Sequence, residues 1–156
     1  MIRAGSNPGC GFVLYRNPDP IVAVLVVDGD KFLLCRRKPE TLEGGKWCLP
    51  CGYVEFHEDY LTASRREVRE ETGVEATPVE KLGDVRYVYT WAGERVFKVV
   101  SFFLFRYRAG RLGDIPPEHA HEVAETRWLP LEDAPELLAY KGEREMAAKA
   151  LERLSR

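Results

Sequence analysis

The sequence predicts an α/β protein, an α/β/α sandwich on a mixed β-sheet, and three observations lead there. Residues 21–27 (IVAVLVV) are an unbroken apolar run rich in β-branched side chains, as a buried strand requires. Residues 96–107 (VFKVVSFFLFRY) are apolar on both alternating faces near their middle, the mark of a central strand covered from both sides. Helical segments follow each of these strand-rich halves, so helices must cover the sheet.

The elements read in order as follows. Residues 31–37 (KFLLCRR) make the second strand, joined to the first by Asp28-Gly29-Asp30, a hairpin signal. Residues 47–54 (WCLPCGYV) read as a short strand interrupted by Pro50. A helix begins near Asp59, with Glu58 and Asp59 as acids at its positive end. Leu61 and Val68, seven residues apart, mark its apolar stripe. Gly73 is placed to end it, because a C-cap needs φ > 0. Residues 85–91 and 96–107 flank Ala92-Gly93-Glu94 as a second hairpin, and residues 112–121 with Pro116-Pro117 read as a loop. Residues 123–129 are a further strand, and residues 131–140 and 143–154 two helices separated by Gly142. With no repeat or linker, the expectation is one domain over residues 21–156 behind an N-terminal extension of residues 1–20.

At 156 residues the chain buries roughly 70% of its unfolded surface without staples. A 45% hydrophobic and 31% charged composition is that of a soluble globular protein. A net charge of -2 supplies no bulk attraction to nucleic acid or an anionic membrane, so neither is expected as a partner. No segment has the apolar length of a membrane span and no signal peptide is evident, so a cytoplasmic location is expected. Cys10, Cys35, Cys48 and Cys51 do not form a disulfide framework. Cys48-x-x-Cys51 lacks a second pair for zinc, and packing beside the neighbouring loop is the expectation.

The chemistry is concentrated in residues 52–74, GYVEFHEDYLTASRREVREETGV. Glu67, Glu70 and Glu71 fall within one helical turn, where like charges destabilise a helix unless a cation sits among them. Arg66 with Glu70 also makes an ordinary ion pair of a charged surface helix, but that explains neither Gly52 and Gly73 nor Glu58 in register with them. Converging hard oxygens suit magnesium or manganese, which also bridges substrate phosphates.

The spacing from Gly52 through Glu58, Arg66-Glu67, Glu70-Glu71 to Gly73 resembles the Nudix box, and every defining position is filled. Cys51, where the family often has glycine, departs from the pattern without touching a ligand. The resemblance implies the Nudix α/β/α fold and a Mg2+-dependent hydrolase (Mn2+ serving in its place) that cleaves a nucleoside diphosphate linked to another group. It implies Glu67, Glu70 and Glu71 as metal ligands or base, the Gly52 carbonyl as a metal contact, Arg66 orienting the cluster and Glu58 supporting it. A further acid is sought before Trp128, with Glu122 the choice and Glu118 and Glu125 its competitors. Relatives are often dimers, so a homodimer is in play.

Two resemblances bear on the substrate. Tyr15, Asn17, Pro18 and Pro20 match the junction that follows a zinc ribbon in some Nudix proteins, some of which cleave NADH or ADP-ribose. With Asn7 where the knuckle has its first cysteine, the ribbon is expected to be lost, and no glutamine- and proline-rich motif of the NADH-cleaving enzymes follows the box. Lys98, Val100, Phe102 and Phe103, with the ending RWLPLEDAPELLAYKGEREMAAKAL, resemble the diadenosine tetraphosphate hydrolases, with Phe102 replacing a tyrosine. Diadenosine tetraphosphate, cut to ATP and AMP, is therefore the leading substrate. ADP-ribose or a nucleoside diphosphate sugar follows, with a nucleotide-sanitising role third and a non-catalytic nucleotide-binding module as the other class. Lys98 suits outer phosphates as a point charge. Tyr87, Tyr89 and Trp91 alternate on one strand face, as base-stacking rings or as core. Arg36 and Arg37 are phosphate contacts or plain surface cations.

Overall fold

The computed structural model describes residues 19–40, 44–119 and 123–155. Among these, seven strands form one sheet: β1 (Asp19–Asp28), β2 (Lys31–Arg37), β3 (Trp47–Cys48), β4 (Cys51–Tyr53), β5 (Val74–Trp91), β6 (Glu94–Gly110) and β7 (Val123–Pro130). The order is β3-β2-β1-β6-β5, with β4 also pairing β1 and β7 also pairing β2. β1 and β6 run parallel and the other pairs are antiparallel, so the sheet is mixed.

The apolar run of β1 is buried on both faces because side chains alternate across a strand. Ile21, Ala23, Leu25 and Val27 enter one core with Phe102 and Leu104, under Ala134 and Leu138 and under Ala147 and Ala150 of α3 (Lys141–Leu154). Val22, Val24 and Val26 enter a second core with Phe103 and Phe105, under Ala63 and Val68 of α1 (Tyr60–Thr72). The sandwich is therefore α/β/α, as expected.

Asp59 caps α1 by accepting the Thr62 N–H at 2.7 Å, and Gly73 ends it at φ 81°. The stripe differs from the expected one. Val68 is buried with Ala63, Ser64 and Thr72, but Leu61 is 42% exposed. At that end Tyr60 meets the sheet instead, edge-on to Phe103 with ring centroids 6.5 Å apart.

Two further expectations need correction. Residues 131–140 are not one helix: a 3-10 turn, Leu131–Asp133, leads into a four-residue helix, α2 (Ala134–Leu137), after which Leu138 is extended. Gly142 does not separate the helices but lies in the first turn of α3, where a Cβ would overlap the Tyr87 hydroxyl. The first half of β5 escaped notice because its pairing with β6 shifts register three times, around Glu75/Ala76, Pro78/Glu80 and Lys81/Gly83. Such bulges erase the alternation a strand is read from. Among the described residues no helix is long and apolar enough to cross a membrane.

Candidate active site

β4 has only three residues, yet it fixes the site. Gly52 lies opposite Val22 of β1, and the chain then turns through residues 54–59 into α1, which crosses back over the same edge. Gly52, Glu67, Glu70 and Glu71 thereby line one cavity of about 550 Å3, with Arg37, Lys98 and His119 on its walls.

Arg66 organises the acids. Its Nε donates to Glu58 Oε2 at 2.7 Å and its Nη2 to Glu58 Oε1 at 2.9 Å, a forked pair across the start of α1. Its Nη1 donates to Glu67 Oε1 at 2.7 Å and to Glu70 Oε2 at 3.3 Å, while Nη2 also reaches the Tyr53 carbonyl at 3.0 Å. The repulsion expected along this turn is thus offset by one guanidinium. That guanidinium holds Glu58 below the usual carboxylate range. Burial pushes Glu67 up against the pull of Arg66, and Glu70 and Glu58 add to the rise. Glu71 lines the same cavity, and its Oε2 accepts the Cys51 N–H at 3.0 Å.

The strand pleat separates the paired arginines. Arg37 lines the acid cavity, whereas Arg36 turns away, pairing with Glu125 at 2.9 Å and lying over Trp47. Glu125 also accepts from Arg127, so it is an ion-pair acid on the β7 side of the sheet. Glu122 lies outside the described residues, as do the side chain of Trp91, Cys10 and the junction residues Tyr15, Asn17 and Pro18, while Pro20 is in β1. Glu118 sits in a 3-10 turn, Pro117–His119, that brings His119 Nε2 to 3.5 Å from Glu70 Oε1. His119 was not foreseen, because a lone 3-10 turn in a proline-rich loop leaves no periodic signal.

Lys98 Nζ lies 5.5 Å from the ring centroids of both Tyr53 and Tyr89. Burial pulls its ammonium down, but contacts with Tyr89 and Tyr53 outweigh this and hold it above its usual value, so it stays charged. Tyr87 and Tyr89 line a second cavity of about 280 Å3, which shares Ile21, Arg37, Cys51 and Lys98 with the first. Its other walls include Val100, Phe102, Tyr140 and Glu143. Cys35, Cys48 and Cys51 are free thiols. Burial raises all three, Cys48 to about 12, which leaves them protonated and suited to packing.

Glu143 is the other residue the sequence did not reveal. It is 6% exposed, its Oε2 accepts the Leu49 N–H at 2.9 Å, and its Oε1 has no partner among the described residues. Burial pushes its carboxyl up to about 8, against the Leu49 hydrogen bond and the charge of Arg37. A carboxyl whose folded pKa lies above its unfolded one favours the protonated fold. Stability is then lost as pH rises from about 4.5 to about 8, by roughly 1.4 kcal/mol per unit. Glu143→Gln cannot ionise, so its urea midpoint should gain on the wild type between pH 5 and pH 8 and then stay level. Parallel curves for the two proteins would contradict that.

The donor set suits a hard cation: three carboxylates line one cavity, beside a glycine whose Cβ would overlap the Glu67 carboxylate. The acids rest on Arg66 and the Cys51 amide, and among the described residues no three of His, Cys, Asp or Glu are already gathered at ligating distance.

A glutamate-bearing helix set against a glycine loop, on a mixed sheet covered by helices on both faces, defines a class. The chain belongs to the NUDIX family: residues 17–150 match the NUDIX domain. It is 38% identical over 104 residues to the putative mutator protein MutT4 of Mycobacterium tuberculosis, covering 67% of this chain and 40% of that one. It is 30% identical over 137 residues to the NAD-capped RNA hydrolase NudC of Stutzerimonas stutzeri, covering 88% and 45%. The chain thus spans less than half the length of these curated relatives. The crystal structure of the MutT NUDIX hydrolase from Burkholderia pseudomallei is similar at a TM-score of 0.70 and 25% identity, over 86% of this chain and 98% of that one. The family generally uses divalent metal ions such as Mg2+.

Proposed function

We propose that the protein is a Mg2+-dependent NUDIX pyrophosphohydrolase that cleaves a phosphoanhydride bond in a nucleoside polyphosphate or dinucleotide. The observation that carries this is the pairing of an acid-lined cavity with an aromatic-walled one, Arg37 and Lys98 standing on their shared border. A pyrophosphate on that border meets two cations on one side and three carboxylates on the other, while an attached base enters the tyrosine-lined space.

Glu67, Glu70, Glu71 and the Gly52 carbonyl would hold the metal. When bound, it neutralises phosphate charge and lowers the pKa of a coordinated water. Arg37 and Lys98 orient phosphate oxygens and stabilise charge on the departing group. Arg66, held still more firmly in its charged form by Glu58 above all and then by Glu67, would fix the angle at which Glu67 and Glu70 face the cavity. Glu70, 3.5 Å from His119, would be shared between the ligand set and the base that takes a proton from the attacking water.

Diadenosine tetraphosphate, cut to ATP and AMP, remains the leading substrate on the likeness of residues 98–103 and the C-terminal run to hydrolases of that compound. ADP-ribose or a nucleoside diphosphate sugar is the second reading, favoured by the N-terminal junction residues. Location in the cytoplasm, the boundary near residue 20 and a homodimer belong to the same proposal. A substrate panel with Mg2+ and product identification tests it. ATP plus AMP from the diadenosine compound supports the first choice. AMP plus ribose phosphate from ADP-ribose moves the assignment to the second. Binding with every compound left intact would make the protein a nucleotide-binding module.

A further inference from the structure

We propose that the protein carries a second anion site, a cavity of about 250 Å3 between α1 and the paired ends of β5 and β6, which binds the terminal phosphoryl group of a phosphate monoester such as a mononucleotide. Its walls are Arg65 and Arg69 of α1, Glu75, Ala76 and Thr77 of β5, and Arg108 of β6. It shares no lining residue with the acid cavity or the tyrosine-lined one, so it goes beyond the hydrolytic centre and does not rest on it.

Two local rules bring the three guanidiniums together. Residues four apart on a helix are surface neighbours, so Arg65 and Arg69 stand side by side on α1, while Arg66 goes to the acids. Arg108 arrives by a different route. Side chains alternate across a strand: Phe103 and Phe105 of β6 enter the core under α1, and Phe102 and Leu104 the core under α3. Strict alternation would carry Arg108 to the α3 side with Leu104. The register of β5 on β6 prevents that. Glu75 pairs with Ala109 and Ala76 with Tyr107, which leaves Arg108 as the extra residue of a bulge. A bulge re-aims the side chain it carries, and this one leaves Arg108 in one cavity with two arginines of α1.

Such crowding is unfavourable by itself. Arg65 and Arg69 repel along the helix, and Arg108 adds a third like charge. Among the described residues none of the three is in an ion pair, unlike Arg66 and Arg153, which Glu58 and Glu80 hold. Glu75 is the single acid on the walls, so two positive charges stay uncancelled. Arg69 lies in the last turn of α1, where a cation suits the negative end of the helix, but that reason does not extend to Arg108. The missing counter-charge has a defined chemistry. Guanidiniums present their N–H groups as planar forks that match phosphate oxygens two at a time, and the Thr77 hydroxyl adds a donor. A phosphate monoester loses its second proton near pH ~6, so at neutral pH it carries close to the two negative charges required. The walls hold no aromatic ring and only Ala76 as an apolar side chain, so the phosphoryl end is what they recognise.

The test is an NMR titration of the isotope-labelled whole chain, without metal, at constant ionic strength and a pH of about 8, where the monoester is a dianion. AMP, cyclic AMP and adenosine are the probes. AMP should give saturable shifts at the Thr77 amide and at the Nε–H signals of Arg65, Arg69 and Arg108. Cyclic AMP, a diester with a single charge, should bind there about tenfold more weakly, and adenosine should leave those signals unmoved. Arg108→Gln and Arg69→Gln should each weaken AMP at this site about tenfold, one charge-assisted hydrogen bond being worth about that factor. Lys98→Ala, which alters the border of the other two cavities, should leave these shifts as they are. All three arginines are exposed, so their variants fold, and thermal melts check this. Shifts that sodium chloride reproduces overturn the proposal, as does equal affinity for cyclic AMP or an Arg108→Gln that binds like the wild type. Loss of the shifts in Lys98→Ala also overturns it, since they would then report the hydrolytic cavity. A chain that shows the expected pattern and hydrolyses no nucleotide would refute the hydrolase reading and leave this site standing.

Discussion

Glu71→Gln is expected to leave a folded protein whose Mg2+-dependent turnover falls about a thousandfold, the scale of removing one preorganised electrostatic partner. The reason lies in what glutamine keeps. Glu71 Oε2 accepts the Cys51 N–H, and the amide oxygen of glutamine accepts the same bond, so β4 stays where it is. What disappears is one negative charge beside Gly52. Arg66 holds Glu58, Glu67 and Glu70 by direct hydrogen bonds, and glutamine at position 71 removes none of them. Activity and stability should therefore separate: kcat/KM collapses, while the thermal midpoint moves by a few degrees at most. Wild-type turnover across a Mg2+ titration would remove Glu71 from the mechanism. Arg66→Met gives the contrast. It strands three carboxylates together and should lower both quantities, with stability reduced by roughly 2–3 kcal/mol for a partly buried pair.

The parts of the fold readable from the sequence are those where one physical demand dominates. Residues 21–27 read as a doubly buried strand, because a seven-residue apolar run, mostly β-branched and closed by Asp28-Gly29, is too short for a buried helix. Gly73 had to end a helix, and its φ of 81° agrees. What stayed hidden depends on partners far along the chain. The first half of β5 is held by β6 across three bulges, which no window of sequence displays. Leu61 has the right spacing for the stripe and yet is exposed, because Tyr60 takes the contact with the sheet.

The site divides in the same way. Glu67, Glu70, Glu71 and Arg66 share one turn and were visible as a spacing. Arg36 and Arg37 looked equivalent, and only the strand pleat sends one to the cavity and the other to Glu125. His119 and Glu143 reach the two cavities from a 3-10 turn and from the first turn of α3, positions that carry no motif. Glu143 lies 94 positions from the Leu49 amide it binds, a distance at which sequence reading is blind.

Gly52→Ala is the second large effect. An added Cβ would overlap the Glu67 carboxylate, and that carboxylate is fixed at 2.7 Å from Arg66. One of two things must yield: the β4 backbone, paired to β1 at Val22, or the Glu67 side chain. Moving a strand breaks ladder hydrogen bonds, whereas rotating the end of a flexible side chain costs about 1 kcal/mol. Glu67 therefore yields. The fold survives with about 1 kcal/mol lost, and the acid cavity loses its arrangement, so kcat/KM should fall at least about a hundredfold. Gly29→Ala supplies the opposite case. Gly29 has φ 63° and nothing within 4 Å of an added Cβ, in a turn, Asp28-Gly29-Asp30, that lines neither of these two cavities. There the left-handed backbone conformation costs about 1–2 kcal/mol and activity is untouched. Two alanines of similar cost to stability and opposite effect on turnover would locate the chemistry at the contact between Gly52 and Glu67, and equal activity in both variants would refute it.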